Sequence, residues 1–370
     1  MNQADDGPRS PARLAEYLQL AREAADMRVL NGPDPATLAR NWADWQGTLN
    51  WFEAQRPRLM AARAAAAEEG LDRVTLDLAL ALEPYLESRR RYAEMLDAAA
   101  AAASAAGRLA DHTGEGRALI WEGIALFRMD RFQDALTACE SAAAIFRRTG
   151  DRDHEGEALC IASPALGNVG RNEEALASGR EAVTLYEQAG NRHGAGNAMV
   201  NLTYTLIGQR RLTEAIAAGQ EAVAAFQETA DLHREGETLG VVGLAYFRLR
   251  LNDQAVASLT DAVRCLRDFG DLAGQALMQR NLAGVLKRDR PSEAAAVLRE
   301  AAGISRQLGD SRREAETRYE LGAALSKAQS LREAAEAYQS AAVIFGEIGD
   351  KEHEAQAKAH AKAGRPWRLW

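Results

Sequence analysis

The sequence predicts an all-α protein, a right-handed α-solenoid of about seven helix–turn–helix repeats. Three observations predict it: a turn signal recurs at a nearly fixed period, small residues recur in register with that signal, and the composition is rich in Ala. A period in this range is typical of solenoids and other repeat arrays. The steps are equal apart from the one between positions 270 and 309, which is one residue shorter. The turn pairs are Ala110-Asp111, Gly150-Asp151, Gly190-Asn191, Ala230-Asp231, Gly270-Asp271, Gly309-Asp310 and Gly349-Asp350.

The two ends of the chain are expected to cap the repeats, because the terminal units of a solenoid need capping. Residues 1–11 are polar and are expected to be disordered. Residues 12–70 are expected to form a helical cap, in which Pro57 starts or kinks a helix. Residues 350–370 are expected to form a capping helix and a tail, Arg365–Trp370, that either covers its own chain or docks elsewhere. The N-terminal residues expected to cover the open end of the core are Trp42, Trp45 and Trp51.

The repeats themselves are expected to occupy residues 71–349, and each turn pair has two roles. Its first residue, usually Gly, ends a helix in the left-handed conformation. Its Asp or Asn begins the next helix as the N-cap. Ala110 and Ala230 replace Gly, so these two turns are expected to be strained or differently shaped. The predicted repeats are a degenerate one at 71–110, and then 111–150, 151–190, 191–230, 231–270, 271–309 and 310–349.

Small residues recur where the two helices of each repeat must touch, and larger apolar residues fill the space between them. The shortened step falls at 287–292, in the bend between two helices, so the phase of both helices is expected to survive it. A large side chain at a small position would overpack the interface. The small positions are Gly123, Ser163, Thr203, Gly243, Ala283 and Gly322 in the first helices, and Ala135, Ala175, Ala215, Ala255, Ala294 and Ala334 in the second.

Composition and charge exclude several classes of protein. The net charge of −8 argues against a nucleic-acid-binding surface, which requires clustered Lys and Arg. No run reaches the length of a membrane span, and residues 1–11 lack the apolar core of a signal peptide. We therefore expect a cytoplasmic protein. The three cysteines form no CxxC pair and are expected to be buried helix residues: Cys139, Cys160 and Cys265.

The units resemble tetratricopeptide repeats (TPRs) of the longer kind. Residues 171–176 (RNEEAL) and Asn201-Leu202 carry this resemblance. More narrowly, the chain is similar to the C-terminal arm of actinobacterial STAND-type (NB-ARC/TPR) regulators, and residues 51–62 (WFEAQRPRLMAA) are similar to the segment preceding that arm. The sequence departs from those regulators because it contains no GxxxxGK[ST] phosphate loop, so the ATPase is expected to be missing and only the sensing or partner-binding arm to be kept. In related arrays the first helices line a concave groove, and an Asn at the positions of Asn201 and Asn281 binds a peptide backbone.

By that resemblance, the ligand groove is lined by first-helix residues spaced i, i+4 on one face. A protein or peptide ligand is the expected partner, with neither nucleic acid nor membrane, and a homodimer is allowed for. The alternative is that these side chains are simply solvated. The predicted groove residues are Arg117, Trp121, Glu157, Asn197, Asn201, Tyr204, Glu237, Asn281, Glu316 and Glu320, with Ile161, Val241 and Leu277 completing the i, i+4 pairs.

No catalytic, cofactor or metal site is predicted. The histidines lie near helix starts in different repeats, about 10 Å apart, too far for ligation at about 2 Å. The groove glutamates could form an acid/base pair, but no nucleophile or oxyanion site accompanies them. The histidines concerned are His112, His154, His193 and His233.

The leading functional hypothesis is therefore a non-enzymatic, regulatory scaffold that binds a protein or peptide in its groove. The first alternative is the receptor arm of a transcriptional regulatory system, which would bind a small molecule or a signalling peptide. An enzyme or a biosynthetic auxiliary built on a helical scaffold is the second alternative.

Overall fold

The computed structural model of the protein describes Glu16, Gln19 and residues 42–363, and these residues form α-helices and turns without a β-strand. The predicted all-α repeat fold is therefore confirmed. Several expectations lie outside the described residues: disorder at 1–11, most of a first capping helix, and the placement of the tail Arg365–Trp370. The side chains of Trp42 and Trp45 are likewise outside the described part of the chain.

The described chain forms consecutive helices joined by short turns. Seven pairs, α2–α3 to α14–α15, follow the predicted period. The helices are α1 (Trp42–Glu68), α2 (Asp72–Ser88), α3 (Tyr92–Leu109), α4 (His112–Arg128), α5 (Phe132–Thr149), α6 (Arg152–Asn168), α7 (Asn172–Gln188), α8 (Arg192–Gly208), α9 (Leu212–Glu228), α10 (Leu232–Arg248), α11 (Asn252–Phe269), α12 (Leu272–Leu286), α13 (Pro291–Gln307), α14 (Ser311–Lys327), α15 (Leu331–Glu347) and α16 (Lys351–Ala363).

The turns between repeats have the predicted geometry. In Gly150-Asp151, for example, the glycine has a φ of 78° and the aspartate side chain accepts a hydrogen bond from the His154 N–H. Ala110 and Ala230 adopt the same left-handed conformation, with φ of 53° and 56°. These two turns therefore keep the common shape, and their Cβ atoms make that conformation costlier by about 1 kcal/mol.

The small residues sit where helices touch. A Cβ built on Gly123 would lie 2.5 Å from the Cys139 sulfur, and one on Gly322 would lie 2.8 Å from the Tyr338 ring. The large apolar side chains of the second helices fill the interior, as Phe146 and Phe226 illustrate with exposures of 1% and 0%. Packing at these positions therefore follows the predicted pattern.

The shortened repeat has lost its residue from the internal turn. There α12 ends at Leu286 and α13 begins at Pro291, so both helices keep their phase. The other internal turns each contain a residue with positive φ, but residues 287–290 contain none. The deletion has removed the left-handed residue, and Pro291 at the first helical position starts α13 instead.

Helix α1 packs against the first repeat through stacked rings and a polar cluster. The Phe52 and Tyr85 rings stack with centroids 5.5 Å apart, and Trp51 packs edge-on against Phe52. The Tyr85 hydroxyl donates to Glu53, which also accepts from Arg91 at 2.8 Å. Pro57 lies inside α1 rather than at its start.

The helices group into two compact units. Within the described chain, unit 1 comprises residues 42–209 and 228–230, and unit 2 comprises 210–227 and 231–363. Each helix from α1 to α7 packs against the next, and so does each helix from α10 to α15. No helix among the described residues is long and apolar enough to cross a membrane.

The cysteines are buried and unpaired, as predicted. Burial raises the pKa of the Cys139 thiol to about 12 and that of Cys265 to about 11. Both thiols are therefore protonated at neutral pH and are poor nucleophiles.

Candidate functional site

The predicted groove residues lie on the first helices of the repeats, which approach one another within each unit. We call the surface formed by α2, α4, α6 and α8 the unit-1 face, and the surface formed by α10, α12 and α14 the unit-2 face. Side chains from successive repeats meet on both faces, as the contacts of Asn201 and Arg280 show below. Each face is therefore formed by side chains of neighbouring repeats that contact one another.

Trp121 is a predicted groove residue, but the structure buries it. Its exposure is only 5%, and it belongs to the hydrophobic core of unit 1. The Arg117 guanidinium lies 5.3 Å from the centroid of its ring, a cation–π contact. The indole therefore supports Arg117 from below and does not offer its own ring to a ligand.

Two carboxyl groups on the unit-1 face lack a direct counter-charge. Glu157 on α6 and Glu87 on α2 make no hydrogen bond or ion pair with any described residue. Burial raises the pKa of Glu157, while His154 and Arg117 act in the opposite direction at longer range. Burial likewise raises the pKa of Glu87, opposed by Arg128. Both side chains are half-buried, so each carboxylate has lost part of its water without gaining a close partner.

A cleft in unit 1 is lined in part by Glu87. Its volume is about 680 Å³, within the range of ligand pockets. The lining is mostly polar and contains both signs of charge. The residues concerned are Glu83, Pro84, Glu87, Ser88, Arg90, Tyr92 and Arg128.

Asn201 is already used by the chain itself. Its amide donates to the backbone oxygen of Cys160 at 2.9 Å. In a regular helix this oxygen would accept from the N–H of residue 164, but Pro164 has no N–H. Asn201 on α8 therefore replaces a hydrogen bond that the proline removes from α6.

The remaining residues of the unit-1 face are more accessible. Asn197 is half-buried, and its amide lies 3.3 Å from Nδ1 of His193. Ile161 is half-buried too, and Tyr204 is 55% exposed. This part of the face offers hydrogen-bonding groups beside an exposed aromatic ring.

On the unit-2 face the predicted glutamates are paired. Arg280 on α12 donates to Glu320 at 2.7 Å and to Glu316 at 3.3 Å. The glutamates' hydrogen bonds and charges raise the pKa of Arg280. Glu237 accepts from Arg234 at 2.9 Å. An acid/base role for Glu316 and Glu320 is therefore disfavoured, because one guanidinium occupies oxygens of both carboxylates.

Arg280 is not among the predicted groove residues because it lies outside their i, i+4 pairs. The available signal was that Glu320 follows Arg280 by 40 residues, close to one repeat, with Glu316 one helical turn earlier. The amide of Asn281, the predicted partner of a peptide backbone, donates to the Met278 sulfur at 3.9 Å. Leu277 beside it is 47% exposed, whereas Val241 is half-buried.

His154 and His233 contact carboxylates that cap helix N-termini. His154 bonds to Asp151 at 2.8 Å and stacks on Phe146. His233 lies 3.3 Å from Asp271, and the hydrogen bond to that carboxylate raises the pKa of the imidazole. Within the described chain no group of three ligating side chains could hold a metal ion.

Comparison with known proteins identifies the fold. No protein-family model matches the sequence, and no curated protein matches it either. Solved structures do match it. A Rap protein complexed with competence and sporulation factor has a TM-score of 0.53 at 14% identity, covering 86% of this chain and 98% of that one. Aspartyl phosphate phosphatase F from Bacillus subtilis has a TM-score of 0.51 at 13% identity, covering 100% and 96%.

A third structure belongs to a longer protein. A STAND protein with a tetratricopeptide repeat sensor from Pyrococcus horikoshii has a TM-score of 0.54 at 14% identity. The match covers 88% of this chain and 52% of that one, so the present chain spans about half of that protein. At such identities the likeness establishes the architecture alone. The chain has the fold of TPR-like helical repeats.

Proposed function

We propose that this protein is a non-enzymatic regulatory scaffold that binds a peptide, or an extended segment of a partner protein, on the unit-1 face. One observation carries the proposal: Glu87 and Glu157 are half-buried carboxyls without a bonded counter-charge. A ligand bearing a positive charge would supply it. The ligand class is therefore a peptide with an Arg, a Lys or a free ammonium group.

The surroundings of Glu157 suit such a ligand. Arg117, held over Trp121, lies within electrostatic reach of Glu157 and would meet a peptide carboxylate or carbonyl. Asn197 can donate and accept hydrogen bonds along an extended backbone. Tyr204 presents an exposed ring for an apolar side chain. Charge, hydrogen bonding and apolar contact thus occur on one face, as peptide recognition requires.

The comparisons support a regulatory role by analogy. One similar structure is described as a complex with competence and sporulation factor, and another as carrying a repeat sensor. Those descriptions concern the other proteins. The resemblance to the repeat arm of STAND-type regulators adds to the proposal that binding here transmits a signal in the cytoplasm.

A second candidate function is a receptor for a small molecule. The cleft beside Glu87 favours it, because its volume suits a small ligand and its lining contains both signs of charge. A thermal-shift screen of cationic metabolites separates the two candidates. Stabilisation by a small amine, reduced in Glu87→Gln but unchanged in Glu157→Gln, would favour the receptor.

The test of the main proposal uses a pool of short labelled peptides, each with one Arg, and the same pool with citrulline. Fluorescence anisotropy should detect binding of the Arg peptides only. Affinity should fall about tenfold in Glu87→Gln/Glu157→Gln, which corresponds to ~1.4 kcal/mol. The matched control is Glu140→Gln/Glu173→Gln, which removes the same charge from exposed sites on second helices of unit 1. Equal losses in both variants, or equal binding of the two pools, would remove the proposal.

A further inference from the structure

One edge of unit 2 collects the turns that join the first and second helices of its repeats. We call it the unit-2 turn edge and define it by residues 247–251, 287–290 and 327–331. The helices from α10 to α15 pack in sequence order, each against the next. Because consecutive helices joined by short turns run in opposite directions, these three turns lie at the same end. The opposite end carries the N-cap aspartates of the repeat-to-repeat turns.

This edge carries both paired and unpaired basic side chains: Arg288 pairs with Asp289, and Arg290 with Asp253 and Glu293. Four others make no hydrogen bond or ion pair with any residue that the structure describes: Arg248, Arg250, Lys287 and Lys327. Elsewhere in unit 2 most basic residues are paired with carboxylates, as in Arg264–Asp261, Arg299–Glu333 and Arg318–Glu314. The edge therefore concentrates uncompensated positive charge on a chain whose net charge is −8.

Apolar side chains are exposed between these charges. Phe247, Leu249 and Leu251 are 42%, 36% and 40% exposed and alternate with Arg248 and Arg250. Leu331, at the third turn of the edge, is 43% exposed. Exposed apolar residues that cluster among charges are typical of interaction surfaces, and Phe and Arg are enriched at protein interfaces.

The backbone at Arg250 is left-handed, with a φ of 62°. The other internal turns apart from the shortened one share this conformation, at Arg90, Asp130, Gly170, Arg210 and Gln329. Because this region favours glycine, Arg250→Gly would remove the side chain without straining the backbone.

We propose that the unit-2 turn edge docks an acidic, amphipathic segment of a partner protein. The apolar face of the segment would cover Phe247, Leu249 and Leu251, and its carboxylates would meet Arg248, Arg250 and Lys287. The net negative charge of the chain disfavours a long polyanion or an anionic membrane, whose charge extends well beyond one edge. A short acidic segment contacts the edge alone. This docking is separate from ligand binding at Glu87 and Glu157.

The test measures binding of a labelled synthetic peptide with Leu on one helical face and Glu on the other. The full chain should bind it, more weakly as salt is added, and should bind the Gln analogue at least tenfold more weakly. Arg248→Ala/Arg250→Ala should lose at least tenfold in affinity for the Glu peptide. The matched control, Arg306→Ala/Lys351→Ala, removes two unpaired charges at the opposite end of the helices and should bind normally.

Arg250→Gly separates docking from structure. Glycine relieves the left-handed conformation, so the melting temperature should rise while affinity for the Glu peptide falls. Arg248→Ala keeps the backbone intact if the glycine variant folds poorly. Equal losses in the control variant, or unchanged affinity in Arg248→Ala/Arg250→Ala, overturn the proposal. Tighter binding of phosphatidylserine vesicles or polyadenylate RNA, with the same dependence on these arginines, overturns it in favour of that partner.

Discussion

The two first-helix faces carry acidic residues at the same repeat positions, yet the two sets are in different states. Glu157 of unit 1 and Glu316 of unit 2 occupy the same position. Glu316 is bonded by Arg280, whereas Glu157 has no bonded counter-charge. At the position of Arg280, the repeat preceding Glu157 carries Ile120, which is buried. A residue in the neighbouring repeat thus determines whether a carboxylate is available to a ligand.

The largest expected effect comes from breaking the unit-2 cluster. Arg280→Met should lower the free energy of unfolding by about 2 kcal/mol, between the values for exposed and for buried ion pairs. It leaves Glu316 and Glu320, each 37% exposed, to repel one another. Urea denaturation measures the loss. Adding Glu316→Gln/Glu320→Gln should restore most of it, while Arg248→Met, at an unpaired site, should cost little.

Asn201 tests the unit-1 face as a structural element. Asn201→Ala should cost about 1–2 kcal/mol, because the Cys160 oxygen loses the donor that replaces the missing N–H of residue 164. In a Pro164→Ala background the restored N–H should bond that oxygen, so the same substitution should then cost much less. Asn281→Ala, without an equivalent proline, is the matched comparison. A double-mutant cycle with no coupling between Asn201 and Pro164 would contradict the assignment.

Replacing Glu157 should raise the stability of the protein, whereas the two preceding substitutions should lower it. Its pKa is raised on folding, so its charge destabilises the folded state above that pKa, and the penalty disappears below its ordinary value near 4.5. Glu157→Gln should therefore stabilise the protein at pH 8, by an amount on the order of 1 kcal/mol, and should have little effect at pH 4. Thermal unfolding at the two values checks this. Glu320→Gln should not stabilise at either, since it removes a bonded partner of Arg280.

Replacing His233 in unit 2 should have the smallest effect on the free energy of unfolding. The hydrogen bond to Asp271 raises the pKa of the imidazole and lowers that of the carboxyl. The stabilisation is thus fully present below pH ~6.5, is lost as pH rises through the raised pKa of His233, and disappears in acid when Asp271 is protonated. His233→Gln should cost less than about 1 kcal/mol at pH 6 and less still at pH 9. An equal cost at both pH values, or the same profile in His112→Gln, would contradict this ion pair.

The helices and their turns could be read from the sequence because their determinants are local. An N-cap such as Asp271 bonds to the N–H three residues on, and a left-handed residue such as Gly270 ends the preceding helix. The small positions were predictable as well, since Gly243 has to admit Leu259 of the same repeat. The shortened turn at 287–290 could be located because that repeat is one residue shorter than the others.

The state of the candidate site was not predictable in the same way. Repeat phase placed Trp121 and Asn201 on the unit-1 face and Glu320 on the unit-2 face, but their environments depend on side chains in neighbouring helices and repeats. Trp121 is buried, Asn201 repairs the hydrogen bond that Pro164 removes, and Glu320 is held by Arg280. The repeat period does not predict these contacts, because each depends on how two helices approach and which rotamers their side chains adopt.

The sequence by itself determined the repeat, its capping turns and the first helices that carry the predicted groove residues, since capping and steric fit act over a few residues. Only the tertiary structure decided which of those residues remain unsatisfied. Packing left Glu87 and Glu157 half-buried without supplying a bonded cation, and packing of the repeats in unit 2 brought Arg280 to its glutamates. Hydrogen bonds and charges between repeats are settled by the distance between the helices, a quantity that the order of residues along the chain does not specify.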